Sequence, residues 1–559
     1  MSIKEDMVNE LGNVKNIIKT SEFIDNSNIV TFETLENNIE NFKVYLPLVG
    51  NFNAGKSSIL NALLEDEELL ATDIIPETAI ATEIIYDSHE RVEVYGFESD
   101  EVLETFDSLE SLKDRNIENY GYLKVYKNLN FLEKNRDIVF IDMPGLDSNI
   151  DRHNHQILNY IQKDGISFIA VVDIDDGTVK DSTLRFIEEI NAYKLDFFVL
   201  INKSDKKPSS EVEKIKRSIE TQLLKYADAP FVGVVSTFDD EIEDVTKIVT
   251  LIDKEKYIKA VFIHKIVSNI QTITQNLNVR KNAMSMDTSE IDKKMEEIKE
   301  GIYQLDKSLR QEKRHIENKF SNTTTQILNE VRQALSNNID RLLMSIETSD
   351  ESFKSTVNEI VRPVIVKSIN THVEQEFSIV LDKLKSSSQD IFTDISDFIG
   401  KSQLAIGVVG ELVKNTPILM QIPAIANLVK LVLSRINPVV AVLTTLVGIA
   451  STFFGKSKEQ KEQEEREQMR SNIQNSTIPS IVRELEPTVH DALNRIKDEF
   501  FVEIEASINK QKDELIASLT QAKEEKEKYK DEIESKVKSF EELIEKLDSS
   551  GAIFMEYTV

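Results

Sequence analysis

Three short stretches of this 559-residue chain hold residue types that do chemistry together. The first is GNFNAGKSS, which matches G-x-x-x-x-G-K-[ST] and comprises Gly50, Asn51, Phe52, Asn53, Ala54, Gly55, Lys56, Ser57 and Ser58. Glycines at both ends let the backbone curl until its N–H groups converge on an anion. A helix opening at Lys56 adds its positive end. Lys56 suits the β- and γ-phosphates of a nucleotide, and the Ser57 hydroxyl suits Mg²⁺. By average residue frequencies the pattern arises by accident on the order of once in a hundred such chains.

The second stretch is DMPG, where Asp142 would hold Mg²⁺ through water and the Gly145 N–H would meet the γ-phosphate. Alone it is a common turn sequence. The third is NKSD, Asn202, Lys203, Ser204 and Asp205. The Asp205 carboxylate can accept from the N1–H and exocyclic amine of guanine, a donor pair that adenine lacks, so it selects GTP or GDP over ATP. Lys203 would lay its stem along the base. Thr78, within IIPETAIAT, is a second candidate Mg²⁺ hydroxyl and the best candidate to orient an attacking water. Lys56, Ser57 and Thr78 are thus the expected catalytic residues. Ser236 would bring a backbone amide near the base oxygen.

Each stretch needs a strand to deliver it. KVYLPLV runs into Gly50, DIVFID into the DMPG turn, FFVLIN into NKSD and FVGVVS into Ser236. ATEIIY and ISFIAVVD complete the set. Apolar nearly throughout, several of these runs suit a parallel sheet buried on both faces. Their alternation with helical patterns predicts an α/β domain.

Beyond residue 250 the pattern becomes helical. Ile291, Met295, Ile298, Ile302, Leu305 and Leu309 step by fours and threes, a heptad seam. Leu515, Leu519, Ala522, Tyr529, Ile533, Phe540, Leu543 and Leu547 continue the theme. One helix over 285–400 would be roughly 170 Å long, with Pro363 expected to break or kink it. Pro479 and Pro487 allow the returning leg to bend in the same region. Between the legs, residues 402–455 contain only four charges, Glu411, Lys414, Lys430 and Arg435. The uncharged run 436–455 is just long enough to cross a bilayer, but Asn437–Pro438, two threonines and Gly448 interrupt it. A buried core helix, a partner-binding surface and membrane insertion all remain open for this segment.

Acidic residues outnumber basic ones by 98 to 67, a net charge of −31. That excludes nucleic acid as an expected partner, since phosphate backbones demand a basic face. There is no cysteine, so disulfides and thiolate chemistry are excluded. Sixteen glycines and eleven prolines agree with long helices rather than many turns. The polar start MSIKEDMVNE predicts a cytoplasmic protein. His153, His155 and Asp151 read as a solvated loop rather than metal ligands, and Asp173, Asp175, Asp176 and Gly177 as a turn without calcium spacing. Glu459–Glu467 reads as an exposed helix face.

The ordered motifs within a sequence flanked by long helices resemble the dynamin superfamily, and most closely its bacterial dynamin-like and mitofusin branches. The specific likeness covers residues 50–240. It implies an α/β P-loop GTPase domain with a long all-α bundle forming a neck and stalk with an apolar tip. The expected divisions are an N-terminal helical segment at 1–40, a GTPase domain at 41–245, an outgoing leg at 246–401, a tip at 402–455 and a returning leg at 456–559. It further implies hydrolysis of GTP with Mg²⁺, with a monovalent cation as a further candidate. Self-association through GTPase domains would be coupled to membrane remodelling or tethering at the inner face of a membrane, with lipid met through 402–455. The alternative is a GTP-regulated scaffold with slow hydrolysis whose apolar segment binds helical protein partners. Phe52 in the phosphate loop and Leu146 after DMPG, where many small GTPases carry glutamine, leave no general base evident.

Overall fold

A computed structural model describes residues 3–66, 69–70, 80–96, 101–112, 115, 120–146, 160–161, 163–193, 195–391 and 466–557. Thr78, the loop carrying His153 and His155, most of Glu459–Glu467 and the whole of 402–455 lie outside them. The expected apolar runs become strands β1 (Val44–Gly50), β2 (Ala81–Tyr86), β6 (Ile138–Asp142), β7 (Ser167–Asp173), β8 (Asp196–Asn202) and β9 (Val232–Val234). Three further strands, β3 (Arg91–Tyr95), β4 (Val102–Phe106) and β5 (Tyr122–Lys127), join them. The order is β4-β3-β5-β2-β6-β1-β7-β8-β9. β6, β1, β7, β8 and β9 run parallel, whereas β2 pairs antiparallel with β6.

Alternation along β1 explains how the sheet is covered. Val44, Leu46 and Leu48 enter one core with Ile59 and Leu63 of helix α3 (Lys56–Leu64). Val49 joins the opposite core with Phe168, Ile187 and Ile190, the last two from helix α5 (Asp181–Ala192). Among the described residues α4 (Asn130–Lys134) lies between α3 and α5, and after α5 come α6 (Ser209–Leu223) and α7 (Glu243–Leu251). Both faces are therefore apolar at the centre, as a parallel sheet requires.

Two helical cores complete the molecule. In the neck, α1 (Ile3–Thr20), α2 (Ser27–Glu40), α8 (Lys254–Met284) and α13 (Ile533–Glu556) pack through Met7, Phe32, Phe262, Ile266, Phe540 and Leu547. In the stalk, α9 (Thr288–Asn337), α10 (Ile339–Thr348), α11 (Asp350–Ile391) and α12 (Ile478–Lys528) share Leu305, Phe320, Phe377 and Phe500. An Asp287–Glu290 capping box starts α9. Lys319 bonds Glu376 and Lys383 bonds Glu312, so α11 runs antiparallel to α9. Lys497–Glu317 and Lys523–Asp292 place α12 antiparallel to α9 as well.

The outgoing leg is thus a hairpin rather than one rod over 285–400. Chain reversal occurs at Asn338 and Ser349, not at Pro363. Ser349 is extended and its hydroxyl accepts from the Ser352 amide, which caps the next helix. Pro363 sits inside α11 between the buried Val361 and Ile365, whose packing offsets the missing hydrogen bond. Pro479 falls in the first turn of α12 and Pro487 lies inside it. The second apolar series also divides. Leu515, Leu519 and Ala522 belong to the stalk core, whereas Phe540 and Leu547 belong to the neck.

Phe377 stacks on Phe500 with ring centroids 3.8 Å apart and lies near Phe320, joining all three long stalk helices. Phe377→Ala should weaken the stalk by about 3–5 kcal/mol, the range for a buried aromatic. Urea denaturation followed by circular dichroism measures it, and a loss below about 1 kcal/mol would deny Phe377 that role.

Candidate functional site

β1, β6, β7 and β8 are parallel neighbours, so their carboxyl ends meet on one edge, where open α/β sheets bind ligands. Gly50 closes β1 against Val171: a Cβ there would stand 2.4 Å from the Val171 carbonyl oxygen. Gly55 has φ +90°, and its Cβ would stand 2.2 Å from Nδ2 of Asn202. Both glycines of the motif are therefore fixed by neighbouring strand ends as well as by the curl of the loop. Lys56 is buried, and its ammonium donates to the carbonyls of Gly50 at 3.3 Å and Asn51 at 3.2 Å. Ser58 is exposed one residue beyond Ser57.

The Ser57 hydroxyl donates to Oδ2 of Asp142 at 2.6 Å. The other oxygen, Oδ1, is buried with no hydrogen-bond partner among the described residues. Burial pushes the Asp142 carboxyl above the usual range, while the Lys56 charge and the Ser57 bond act in the opposite direction. A buried carboxylate oxygen without a partner beside a serine hydroxyl is a donor set that fits Mg²⁺. Ser57 would contact the metal directly and Asp142 would hold one of its waters. The turn after Asp142 rests on the phosphate loop: Leu146 N–H donates to the Gly50 carbonyl at 3.0 Å. A Cβ on Gly145 would come within 3.0 Å of the Phe52 nitrogen.

NKSD reaches the same loop from β8. Asn202 is wholly buried; its Nδ2 donates to the Ala54 carbonyl at 3.0 Å and its Oδ1 accepts from Lys203 N–H at 2.8 Å. Lys203 Nζ donates to the Asn53 carbonyl. Asp205 remains exposed, and its Oδ1 accepts from the Ser236 hydroxyl at 2.9 Å. The backbone amide of Ser236, expected near the base oxygen, donates to the Glu241 carbonyl at 3.0 Å. The β9 end therefore meets Asp205 through the serine side chain.

Residues 46–204 match the family model described as Dynamin family. The sheet domain is thus similar to the dynamin family over this stretch. Over 259 residues the chain is 24% identical to Dynamin-like protein 1 of Campylobacter jejuni, covering 38% of this chain and 35% of that protein. The match thus spans about a third of the curated relative's length. A chain from an oligomerised bacterial dynamin pair, described as providing a mechanism for long-range sensing and tethering of membranes, is 14% identical. It covers 99% of this chain and 82% of that chain, with a TM-score of 0.44. LeoA, a bacterial dynamin GTPase from ETEC, is 15% identical, covers 98% of both chains and has a TM-score of 0.30.

Several contacts of helix α5 and its surroundings went unread in the sequence. Ser182, in the first turn of α5, donates its hydroxyl to Oδ1 of Asn51 in the phosphate loop at 2.9 Å. Two turns on, Glu189 of the same helix is buried and bonded at 2.6 Å to Arg362 of α11. Arg185 pairs with Glu359 at 2.7 Å, and Arg341 also reaches Glu359. Val366 enters the apolar core of the domain beside them. No residue pattern along the chain marks a contact between segments so far apart. The acidic run after β7 is engaged by lysines, with Asp175 bonded to Lys206 and Asp176 to Lys180. No group suited to a metal ion is found by clustering of histidine and carboxylates among the described residues.

Ser57→Ala should leave the fold intact and abolish most of the gain in nucleotide affinity on adding Mg²⁺, about tenfold or more. Fluorescent nucleotide titration with and without chelator reads the difference. An unchanged Mg²⁺ dependence would remove Ser57 from the metal site.

Proposed function

We propose that this chain is a dynamin-like large GTPase that binds GTP with Mg²⁺, hydrolyses it and couples the cycle to self-association and to membrane remodelling or tethering. The observation that carries this reading is the meeting, at one sheet edge, of Lys56, the Ser57–Asp142 pair and the Asn202–Lys203–Asp205 turn. Phosphate, metal and guanine selectors then lie within one continuous hydrogen-bonded surface. Thr78 would supply the second magnesium hydroxyl and orient the attacking water. A monovalent cation near the developing charge would fit the same chemistry. Phe52 and Phe238 are 49% and 86% exposed, and both lie on loops of the nucleotide face, which suits pairing of two such faces. Residues 402–455 would meet lipid, giving peripheral attachment at the inner face of a membrane.

Coupling to the stalk would pass through α5. Its first turn touches the phosphate loop and its later turns touch α11. Twelve helical residues form a rod about 18 Å long, short enough to move as one body. Its far end is held by charges buried at an interface, an arrangement that releases readily because opening rehydrates both partners. Burial raises the Glu189 carboxyl, while the Arg362 charge and hydrogen bond oppose that shift. Arg185 Nε, also buried there, has no hydrogen-bond partner among the described residues. GTP would thus shift the stalk between bent and extended arrangements.

A slower, scaffold-type cycle is the second reading. Leu146 favours it, because that side chain packs on an apolar core and cannot orient water. Here 402–455 would bind a helical protein partner. GTPase activity that climbs steeply with protein concentration supports the self-associating enzyme, and a flat, slow rate supports the scaffold.

Asp205→Asn should cut the preference for GTP over other purine nucleotides by on the order of a hundredfold, since guanine loses its paired acceptor. Competition binding reads this, and an unaltered preference would refute the guanine site. Arg362→Ala leaves Glu189 buried without its cation, at a cost of about 3–5 kcal/mol to the docked state. Small-angle scattering of the nucleotide-free variant should show a larger radius of gyration; identical curves would refute the latch.

A further inference from the structure

The nucleotide edge holds one carboxylate that the reading above leaves without a task. Asp173 closes β7, the strand lying between β1 and β8. Its Oδ1 accepts from the Asp175 amide at 3.0 Å and caps a single 3₁₀ turn, Ile174–Asp176. Its Oδ2 stands 2.6 Å from Nζ of Lys203. The same ammonium donates to the Asn53 carbonyl in the middle of the phosphate loop.

Lys203 and the residue whose carbonyl its ammonium reaches, Asn53, both have left-handed backbone. Asn53 has φ 62° and Lys203 has φ 65°, left-handed values that side chains with a Cβ rarely adopt. Such conformations persist only where surrounding contacts over-determine them. Asn202 supplies one constraint, from its buried amide to Ala54 and Lys203. Asp173 supplies the other and brings a full charge to it. The neighbouring carboxylates are engaged elsewhere, Asp175 by Lys206 and Asp176 by Lys180. Burial works against the Asp173 carboxylate, yet the Lys203 ammonium and the Asp175 amide outweigh it and hold the group below its ordinary range.

We propose that Asp173 is a positioning residue for guanine nucleotide: through Lys203 it locks the base-recognition turn to the phosphate loop before ligand arrives. This inference rests on the guanine-site reading above. The lock removes the freedom of two strained loops in advance, so more of the contact energy appears as residence time. Without the carboxylate, the Lys203 ammonium keeps only a neutral carbonyl partner and its half-exposed stem swings off the base plane.

Asp173→Asn separates the two duties of the side chain. Asparagine caps a helical turn as well as aspartate does, so the 3₁₀ turn survives while the ion pair is lost. Dissociation of ribose-labelled fluorescent GDP from the full-length protein is the measurement. The variant should release GDP about ten- to a hundredfold faster, the size of one lost charge-assisted hydrogen bond. In a Lys203→Met background the same substitution should add less than about twofold, because the partner is already gone. A wild-type rate in Asp173→Asn overturns the proposal. So does an undiminished effect in the Lys203→Met background, which would assign Asp173 a purely structural part. Wild-type protein that binds no GDP overturns the guanine-site reading itself, a result distinct from both.

Discussion

The side-chain amide of Asn202 is the contact around which the nucleotide face is built. It donates into the phosphate loop and accepts from the turn that would read the base, and both loops have shapes that depend on it. Gly55 must lack a side chain because this amide passes where its Cβ would be. Left-handed backbone at Asn53 and Lys203 follows from the same close approach. Buried polar groups are expensive unless satisfied, so a fully engaged amide at this point favours one arrangement of the loops over many.

Away from that edge the molecule uses charge in two different ways. Along the stalk, Lys319–Glu376, Lys383–Glu312 and Lys523–Asp292 sit at or near the surface and fix which helix lies beside which, at small net energy. Where the stalk meets α5, Glu189 and Arg362 are withdrawn from water. Apolar residues at that position would hold more firmly; charges allow the surfaces to part. The first pattern specifies a shape and the second keeps one of its joints reversible.

Sequence spacing made the chemistry legible because phosphate binding needs a contiguous loop. Gly50 to Ser58, Asp142 and NKSD all end strands whose apolar runs are plain in the chain. β3, β4 and β5 were not legible, since RVEVY and YLKVYK alternate and bury mainly one face, and VLETF at the sheet edge has no fully buried residue. Their joining to the sheet, β5 beside β2, β3 beside β5 and β4 at the edge, comes from tertiary packing rather than local pattern. The heptad seam of α9 was readable, but its partner was not. Leu515 and Phe540 carry the same period into separate cores, and periodicity says nothing about which helix will cover a stripe. Pro363 misled for a related reason: a proline marks a weak point, while Ser349 and Asn338, which end helices by capping and by turn geometry, carry less conspicuous signals. Ser236 shows the limit at atomic scale, since the bond from its hydroxyl to Asp205 could not be read from its place at a strand end.

The neck imposes an order on how this chain comes together during synthesis. Its core joins Met7 and Phe32 to Phe540 and Phe554, and Lys536 bonds Glu22 across 514 residues. Closing so large a loop has a high entropic barrier, and no part of it is offset until α13 has emerged from the ribosome. The sheet domain, whose strands and covering helices fall between Val44 and Leu251, can collapse long before that. During the interval α1 and α2 have only each other and α8 to cover their apolar stripes, a period in which they are open to chaperones or to the wrong helix. Translation speed and chaperone supply therefore act on the neck far more than on the sheet domain.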